Sequence, residues 1–205
     1  QVPSQWKSSN IKPIPKNSQS VSPSDYRPIS ITSVLSRLTE RLITSQYIYP
    51  ALLSPPQDLT FKNQFAFRPT GSTTAALISL FQTITIMLNT DLYVRVIALD
   101  FSKAFDTVRH SQLMDKFNQL DIPGNICNWI ADFLTGRHHR TFFEGKISSP
   151  AGINASVIQG SALGPAAFTV ISSDLSAIHN TNSLLKFADD TYLIILSSNI
   201  HTTNE

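Results

Sequence analysis

The spacing of apolar residues predicts two amphipathic helices in the first half of the chain. After Tyr26-Arg27-Pro28, apolar positions recur at helical spacing, as on one buried face: Ile31, Val34, Leu35, Leu38, Leu42 and Ile43. Pro50 is expected to end this helix. Ser72 or Thr73 can cap the second helix, whose expected core face consists of Leu77, Leu80, Phe81, Ile84 and Leu88.

The second half of the chain alternates between candidate strands and helices. Residues 93–99 are almost continuously apolar, which is typical of a central strand buried on both faces, and Asp100 follows this strand. The other elements expected are a helix at about 111–120, a second at 125–134, a hairpin at 137–147 that turns at 144–146, a loop at 156–165, a helix to about 178 and a hairpin at 184–196.

Two adjacent carboxylates, Asp189 and Asp190, lie between the apolar runs of the last hairpin. Neighbouring side chains in a regular strand face opposite ways, but at a tight turn both can converge on one point. Two anions held together repel each other unless a cation joins them, and Mg²⁺ prefers carboxylate oxygens. The residues alone leave two interpretations open, a metal site and a solvated Asp-Asp turn.

Composition limits the classes of protein that fit. With 205 residues, 41% hydrophobic and 15% charged, the chain is long enough for one domain with a real core. The single cysteine, Cys127, excludes an intramolecular disulfide framework and a cysteine-based zinc site. The sequence shows no signal peptide and no apolar run of the ~20 residues that a membrane span needs, so we expect an intracellular protein, in the nucleus or cytoplasm. Because it starts without Met, we expect a piece of a longer chain.

Charge is distributed unevenly around a net value of +2. Residues 1–70 carry eight Lys and Arg against three Asp and Glu, whereas residues 71–205 carry eight against eleven. A basic front half and an acidic back half would suit a polyanion held near a metal site, although ordinary surface scatter explains the asymmetry equally well.

Four stretches are candidates for contact with nucleic acid or nucleotide. Arg68 precedes a turn and a helix N-terminus, where a guanidinium and free N–H groups can bind phosphate. Residues 1–25 predict an extended arm or an edge strand, and their composition favours a loose terminus over a basic strip lying on phosphates. Residues 137–140 read as an exposed basic strand rather than a histidine metal site. Gly160, after Gln159, allows close approach of a backbone or ligand.

Five segments, in this order, resemble the reverse transcriptase domain of non-LTR (LINE-like) retrotransposons. They are Tyr26-Arg27-Pro28-Ile29-Ser30, Gln64-Phe65-Ala66-Phe67-Arg68-Pro69, Ala98-Leu99-Asp100-Phe101-Ser102-Lys103-Ala104-Phe105-Asp106, Gln159-Gly160-Ser161-Ala162-Leu163-Gly164-Pro165 and Phe187-Ala188-Asp189-Asp190. The resemblance spans about residues 11–196.

The resemblance implies an α+β fold, the fingers and palm of a right-hand polymerase, with an antiparallel palm sheet packed on helices. The fingers would lie mainly in about residues 1–90 and the palm, with the active site, in about 91–200. The chain would stop before the later palm segments and the thumb of the family.

The resemblance also implies a metal site. Asp100, Asp189 and Asp190, with the backbone of Phe101, would hold two Mg²⁺ ions, with Mn²⁺ as an alternative. Asp189 would be a stronger ligand than Asp190, and the three carboxylates would be the catalytic residues of an RNA-directed DNA polymerase.

Further roles carry over by position. Phe105 would be the aromatic gate that excludes a 2′-hydroxyl, and Arg68 would grip the triphosphate of the incoming nucleotide. The other expected substrate-binding residues are Gln159, Gly160, Lys103 and Ala104, and the expected nucleic-acid contacts are Lys12, Lys16, Arg27, Arg137 and Arg140. The implied partners are an RNA template, a DNA primer and deoxynucleoside triphosphates, with no membrane.

Three departures from the family pattern leave every carboxylate in place. Ile158 stands where many relatives have Pro, Ala66 where Gly is frequent, and Phe187 where Tyr is common. Two alternatives remain. One is a catalytically inactive fragment that retains a nucleic-acid-binding fold. The other is a related polymerase, such as a group II intron or RNA-copying enzyme, and Phe105 argues against ribonucleotide use.

Overall fold

The structure is a computed structural model that describes residues 1–199. Its helices are α1 (Val34–Ile43), α2 (Tyr49–Leu53), α3 (Thr73–Leu88), α4 (His110–Phe117), α5 (Gly124–Leu134) and α6 (Gly164–Ile171). Its strands are β1 (Ser8–Pro15), β2 (Tyr26–Ile31), β3 (Val94–Leu99), β4 (Arg137–Phe143), β5 (Lys146–Ile147), β6 (Ala151–Ile153), β7 (Ser183–Phe187) and β8 (Asp190–Leu196). None of the helices within residues 1–199 combines the length and apolarity needed to cross a membrane.

The first sheet has the order β2-β1-β4-β5, and β6 also pairs with β4. β1 runs antiparallel to β2 and parallel to β4, so it lies inside the sheet. The extended conformation predicted for the N-terminal arm is confirmed, but the favoured interpretation as a loose terminus is wrong. Strand β4 lies beyond residue 90 and still joins this sheet, so the division into fingers and palm near residue 90 stays a prediction.

The second sheet has the order β3-β8-β7 and contains the predicted hairpin of β7 and β8. Residues 63–65 extend it beside β7, because Lys186 N–H donates to Asn63 O (2.7 Å) and Phe65 N–H donates to Lys186 O (2.8 Å). Within residues 1–199, strand β3 pairs with β8 alone, so the expectation of a central strand is wrong for this part of the chain. Its apolar side chains remain partly exposed, Val96 at 40% and Ile97 at 37%.

Helix α1 reverses most of the predicted burial, although Ile43 is buried as predicted. Val34 and Leu35 are each 62% exposed, whereas Ser36 and Glu40 are completely buried. The segment before α1 is strand β2 rather than helix. Beyond α1 the backbone continues through a π-helical turn into α2, whose first turn accommodates Pro50, so this proline does not end the helical segment.

Helix α3 begins as predicted and packs differently from the prediction. The Ser72 hydroxyl accepts from the Ala75 N–H (3.0 Å), which caps the helix. Leu80 and Ile84 pack against the second sheet, whereas Phe81 is 63% exposed. The main core lies between α4, α5 and α6, and it includes Leu113, Phe117, Ile130, Phe133 and Val170.

Candidate active site

The three predicted carboxylates lie at one end of the second sheet. Leu99 of β3 pairs with Thr191 of β8, so the next position in this antiparallel register places Asp100 beside Asp190. Asp189 lies in the turn between β7 and β8, next to Ala188, whose φ of 57° is left-handed. Strand pairing therefore brings together residues that are far apart in sequence.

These carboxylates share one sheet end without forming a preformed metal cage. Within residues 1–199, no group of three or more His, Cys, Asp or Glu side chains is arranged so that it could hold a metal ion. Carboxylate oxygens are nevertheless the donors that Mg²⁺ and Mn²⁺ prefer, so the donor chemistry fits the predicted ions.

Gln64 holds the turn that carries Asp189, and the sequence analysis did not identify it as a functional residue. Its Oε1 accepts from the N–H groups of Ala188 (3.0 Å) and Ala66 (3.0 Å), and its Nε2 donates to Ala188 O (3.2 Å). The side chain is 2% exposed. The sequence signal that could have identified Gln64 as a functional residue is its position at the start of the Gln-Phe-Ala-Phe-Arg segment.

A cavity of about 1470 Å³ opens beside Asp189, and neither Asp100 nor Asp190 lines it. It brings together many of the predicted residues, namely Lys16, Arg27, Phe101, Lys103, Ala104, Phe105, Gln159, Gly160 and Asp189. Phe67 also lines it and was not predicted as a site residue. The cavity therefore combines a carboxylate, basic side chains and aromatic rings, which suits a nucleotide.

Phe105 is held by two other aromatic rings. Its ring stacks on that of Phe168, with centroids 4.2 Å apart, and meets Phe67 edge to face at 6.2 Å. Phe168 is a buried residue of α6, which leads out of the Gln159-Gly160 loop. The position of Phe105 in the cavity wall is thus fixed from α6.

The loop before α6 packs tightly against β2. Ser30 N–H donates to Gln159 O (2.8 Å), and Gly160 has a φ of +101°. A Cβ atom added to Gly160 would lie 2.6 Å from Ser30 O. This close approach explains why glycine is needed here.

Gly160→Ala should lower the free energy of unfolding by about 2 kcal/mol, because it adds both a left-handed alanine and a clash with backbone. Gly136→Ala is the matched control, since Gly136 also has a positive φ (+67°) but its added Cβ would have no atom within 4 Å. We expect that control to lose about 1 kcal/mol in urea unfolding. Equal losses in the two variants would show that the contact with Ser30 contributes nothing.

Charged side chains complement both ends of α6. The Glu40 carboxylate accepts from the N–H groups of Ala162 (2.8 Å) and Leu163 (3.1 Å) just before the N-terminus of the helix. Beyond its C-terminus, Lys186 Nζ donates to Ser172 O (2.6 Å) and Leu175 O (2.9 Å). An anion at the N-terminus and a cation at the C-terminus are the favourable arrangement for the helix dipole.

Burial lowers the pKa of Lys186 to about 8, and the Asp174 carboxylate opposes this shift. Because the ordinary pKa of 10.5 applies in the unfolded chain, that chain binds more protons between pH 8 and 10.5. The free energy of unfolding should therefore rise with pH in this window, by about 2 kcal/mol relative to Lys186→Met. Urea unfolding of both proteins at pH 7.5 and 10 measures the difference, and parallel pH dependence would contradict it.

Arg68 and Arg137 are bound within the protein. The Arg68 guanidinium donates to Phe61 O and to Gln64 O (3.3 Å), and Arg68 does not line the cavity. Arg137 is 2% exposed, donates to Phe133 O (3.1 Å) and lies over the Phe133 ring. Its prediction as an exposed nucleic-acid contact is corrected, because this guanidinium packs into the core.

The remaining predicted nucleic-acid contacts lie on the first sheet or, for Lys16, directly after β1. Lys12 of β1 and Arg140 of β4 are exposed and do not line the cavity, whereas Lys16 and Arg27 lie in its wall. Arg140 of β4 pairs with Asn10 of β1, which is two residues before Lys12, so Arg140 and Lys12 lie on paired strands. This surface places exposed positive charge on the sheet that adjoins the cavity.

Comparison with known proteins connects this geometry to a family. Residues 14–204 match the family described as "Reverse transcriptase (RNA-dependent DNA polymerase)". The chain is 31% identical to the probable RNA-directed DNA polymerase from transposon X-element of Drosophila melanogaster, over 92% of this chain and 21% of that protein. It is 27% identical to the Pol polyprotein of type-1 retrotransposable element R2 of Popillia japonica, over 97% of this chain and 28% of that protein. The chain thus spans about a fifth to a quarter of the length of these relatives.

Solved structures show the same fold at low sequence identity. Apo telomerase from Candida tropicalis, truncated from its C-terminal domain, superposes with a TM-score of 0.65 at 14% identity, over 93% of this chain and 44% of that chain. The insertion loop deletion mutant of the RNA-dependent RNA polymerase of a human picorbirnavirus gives 0.56 at 19% identity, over 91% of this chain and 36% of that chain. The predicted α+β fingers–palm fold and the predicted likeness to non-LTR retrotransposon polymerases are confirmed. The chain belongs to the reverse transcriptase (RNA-dependent DNA polymerase) family.

Proposed function

We propose that this chain contains the catalytic centre of an RNA-directed DNA polymerase encoded by a retrotransposon. The observation that supports this most strongly is the strand pairing that places Asp100, Asp189 and Asp190 at one end of the second sheet, beside a cavity lined by Asp189, Phe105 and Gln159. The reaction would transfer a deoxynucleotide from its triphosphate to the 3′-hydroxyl of a DNA primer on an RNA template.

The three carboxylates and the backbone of Phe101 would hold two Mg²⁺ ions, or Mn²⁺ in their place. When bound, the ions would supply charge neutralisation at the transferred phosphoryl group and activation of the primer hydroxyl. The residues of the chain would chiefly position the reactants, because phosphoryl transfer needs little covalent help from protein.

The cavity wall supports specific roles in nucleotide binding. Phe105 would lie under the sugar and exclude a 2′-hydroxyl, and Gln159 and Gly160 would border the sugar and the template base. The backbone N–H of Lys103 would face the phosphates, since Lys103 has a φ of 55°, as in turns that cradle anions. The Ala104 N–H donates to Phe101 O (3.3 Å) and would share its hydrogen bond with a phosphate.

Basic residues would hold the nucleic acid and the triphosphate. Lys12, Arg27 and Arg140 lie on the neighbouring strands β1, β2 and β4, and Lys16 follows β1 directly, so a phosphate backbone would run along these strands. Arg68 donates to the carbonyls of Phe61 and Gln64 through Nη1, so it would bind the triphosphate through its other N–H groups.

Primer extension tests this function directly. The assay uses the longest natural polypeptide that carries residues 1–205, an RNA template, a DNA primer, Mg²⁺ and either deoxy- or ribonucleoside triphosphates. We expect template-directed extension with deoxynucleotides, and discrimination against ribonucleotides. Binding of the template–primer by a folded protein without any extension would replace the proposal with an inactive nucleic-acid-binding fold.

A further inference from the structure

The turn before Asp189 is fixed by a single side chain from a distant part of the chain. Gln64 bonds both the N–H and the C=O of Ala188, the residue that precedes Asp189. Ala188 has a left-handed φ of 57°, a conformation that alanine adopts only when its surroundings hold it there. The amide of Gln64 satisfies both backbone groups of this strained residue.

Gln64 is itself held rigidly. Its Oε1 also accepts from Ala66 N–H, and the backbone on either side of it pairs with Lys186 of β7. Since the side chain is 2% exposed, water does not compete for these hydrogen bonds. Two sets of hydrogen bonds therefore join residues 63–66 to the tip of the hairpin: the backbone pairing with Lys186, and the bonds of the Gln64 amide to Ala188. We call the bonds between Gln64 and Ala188 the clamp.

We propose that Gln64 is a positioning residue that fixes the Ala188–Asp189 turn and thereby aims the Asp189 carboxylate into the cavity. The inference rests on the proposed function for its effect on rate, but the clamp itself is a physical property of the turn. The chemical reason is that a carboxylate misplaced by about 1 Å can cost on the order of 100-fold in rate.

Gln64→Met removes the donor and the acceptor at nearly constant side-chain length. We expect hydrogen exchange at the Ala188 amide to become at least about 10-fold faster, because its acceptor is lost. We also expect the extension rate constant to fall by about 30-fold, while KM for the deoxynucleotide stays within about threefold, because Gln159, Gly160 and Phe105 are untouched.

Leu193→Ala is the matched control, because it removes a buried side chain from β8 and none of the hydrogen bonds at the turn. It should destabilise the sheet with little change in the exchange rate of the Ala188 amide or in the extension rate constant. Gln64→Asn serves as the milder second variant, since its shorter amide cannot reach both groups of Ala188, and it should change both quantities in the same direction.

The two readouts separate the two proposals. If the wild-type polypeptide shows no extension, the polymerase proposal and the rate effect fail, while amide exchange still decides whether the clamp exists. If the wild type extends primers and the Gln64 variants match Leu193→Ala in exchange and rate constant, the positioning role of Gln64 is overturned.

Discussion

Asp189→Asn should reduce template-directed extension by at least about 1000-fold. The substitution keeps the size of the side chain and removes the negative charge that would hold a divalent cation beside the cavity. Since catalysis of phosphoryl transfer depends on charge neutralisation and positioning, losing one ligand should lower the rate constant far more than the affinity for the primer–template. Single-turnover extension, with primer–template binding measured separately, gives both quantities.

Two further variants complete this test. Asp190→Asn should have a smaller effect, because Asp190 begins β8 and the cavity wall includes Asp189 rather than Asp190. Asp115→Asn, an exposed carboxylate of α4, should extend primers at the wild-type rate. Retention of more than a tenth of the wild-type rate by a folded Asp189→Asn protein would remove Asp189 from the catalytic role.

The end of the sheet where the site lies could be predicted because its elements are local in sequence. Two short apolar runs flank Asp189 and Asp190, and this pattern is enough to indicate a hairpin with carboxylates at its turn. The order of the motifs then supplied the fold by resemblance. The pairing of β3 with β8, which places Asp100 beside Asp190, could be known only from the resemblance or from the structure.

The burial of α1 could not be predicted from periodicity. The apolar stripe through Val34, Leu35 and Leu38 indicates a buried face, yet the helix turns Ser36 and Glu40 inward. Glu40 can be buried because its carboxylate accepts hydrogen bonds from the N–H groups of Ala162 and Leu163. These residues precede α6 and lie more than a hundred positions later in the chain. A hydrophobic pattern carries no information about such a polar partner.

Specific polar and aromatic contacts also explain the other misjudged residues. Gln64 looks like an ordinary polar residue until its partner 124 positions away, Ala188, is known. Arg137 looks like part of an exposed basic strand, but its guanidinium lies over the ring of Phe133 from the preceding helix. Amino-acid type alone does not distinguish a buried polar side chain with partners from a solvated one.

Left-handed backbone conformations cluster around the cavity. Phe67, Lys103 and Ala188 have φ values of 56°, 55° and 57°, and Gly160 lies in the same wall with +101°. Bulky and β-carbon-bearing residues adopt such values at a cost, and these conformations persist where the surrounding structure imposes them. Their concentration beside the carboxylates supports the assignment of this cavity as the functional site.

Glu40→Ala should lower the free energy of unfolding by about 4 kcal/mol, a large fraction of the stability of an ordinary domain. Glu40 is completely buried, and its carboxylate accepts from Ser36 Oγ (2.8 Å) and from the N–H groups of Ala162 and Leu163. Truncation leaves those donors unpaired at the N-terminus of α6. It also removes the negative charge that, against the effect of burial, raises the pKa of the buried Arg137.

Urea unfolding measures this loss, and two variants show whether it arises from the carboxylate. Glu40→Gln keeps one acceptor oxygen and should lose about half as much stability. Arg41→Ala, at an exposed neighbouring position of α1, should change the free energy of unfolding by less than about 0.5 kcal/mol. If Glu40→Ala stayed within about 1 kcal/mol of the wild type, the carboxylate could not be what joins α1 to α6. The loop that carries Gln159 and Gly160 would then be held chiefly by its backbone contacts with Ser30.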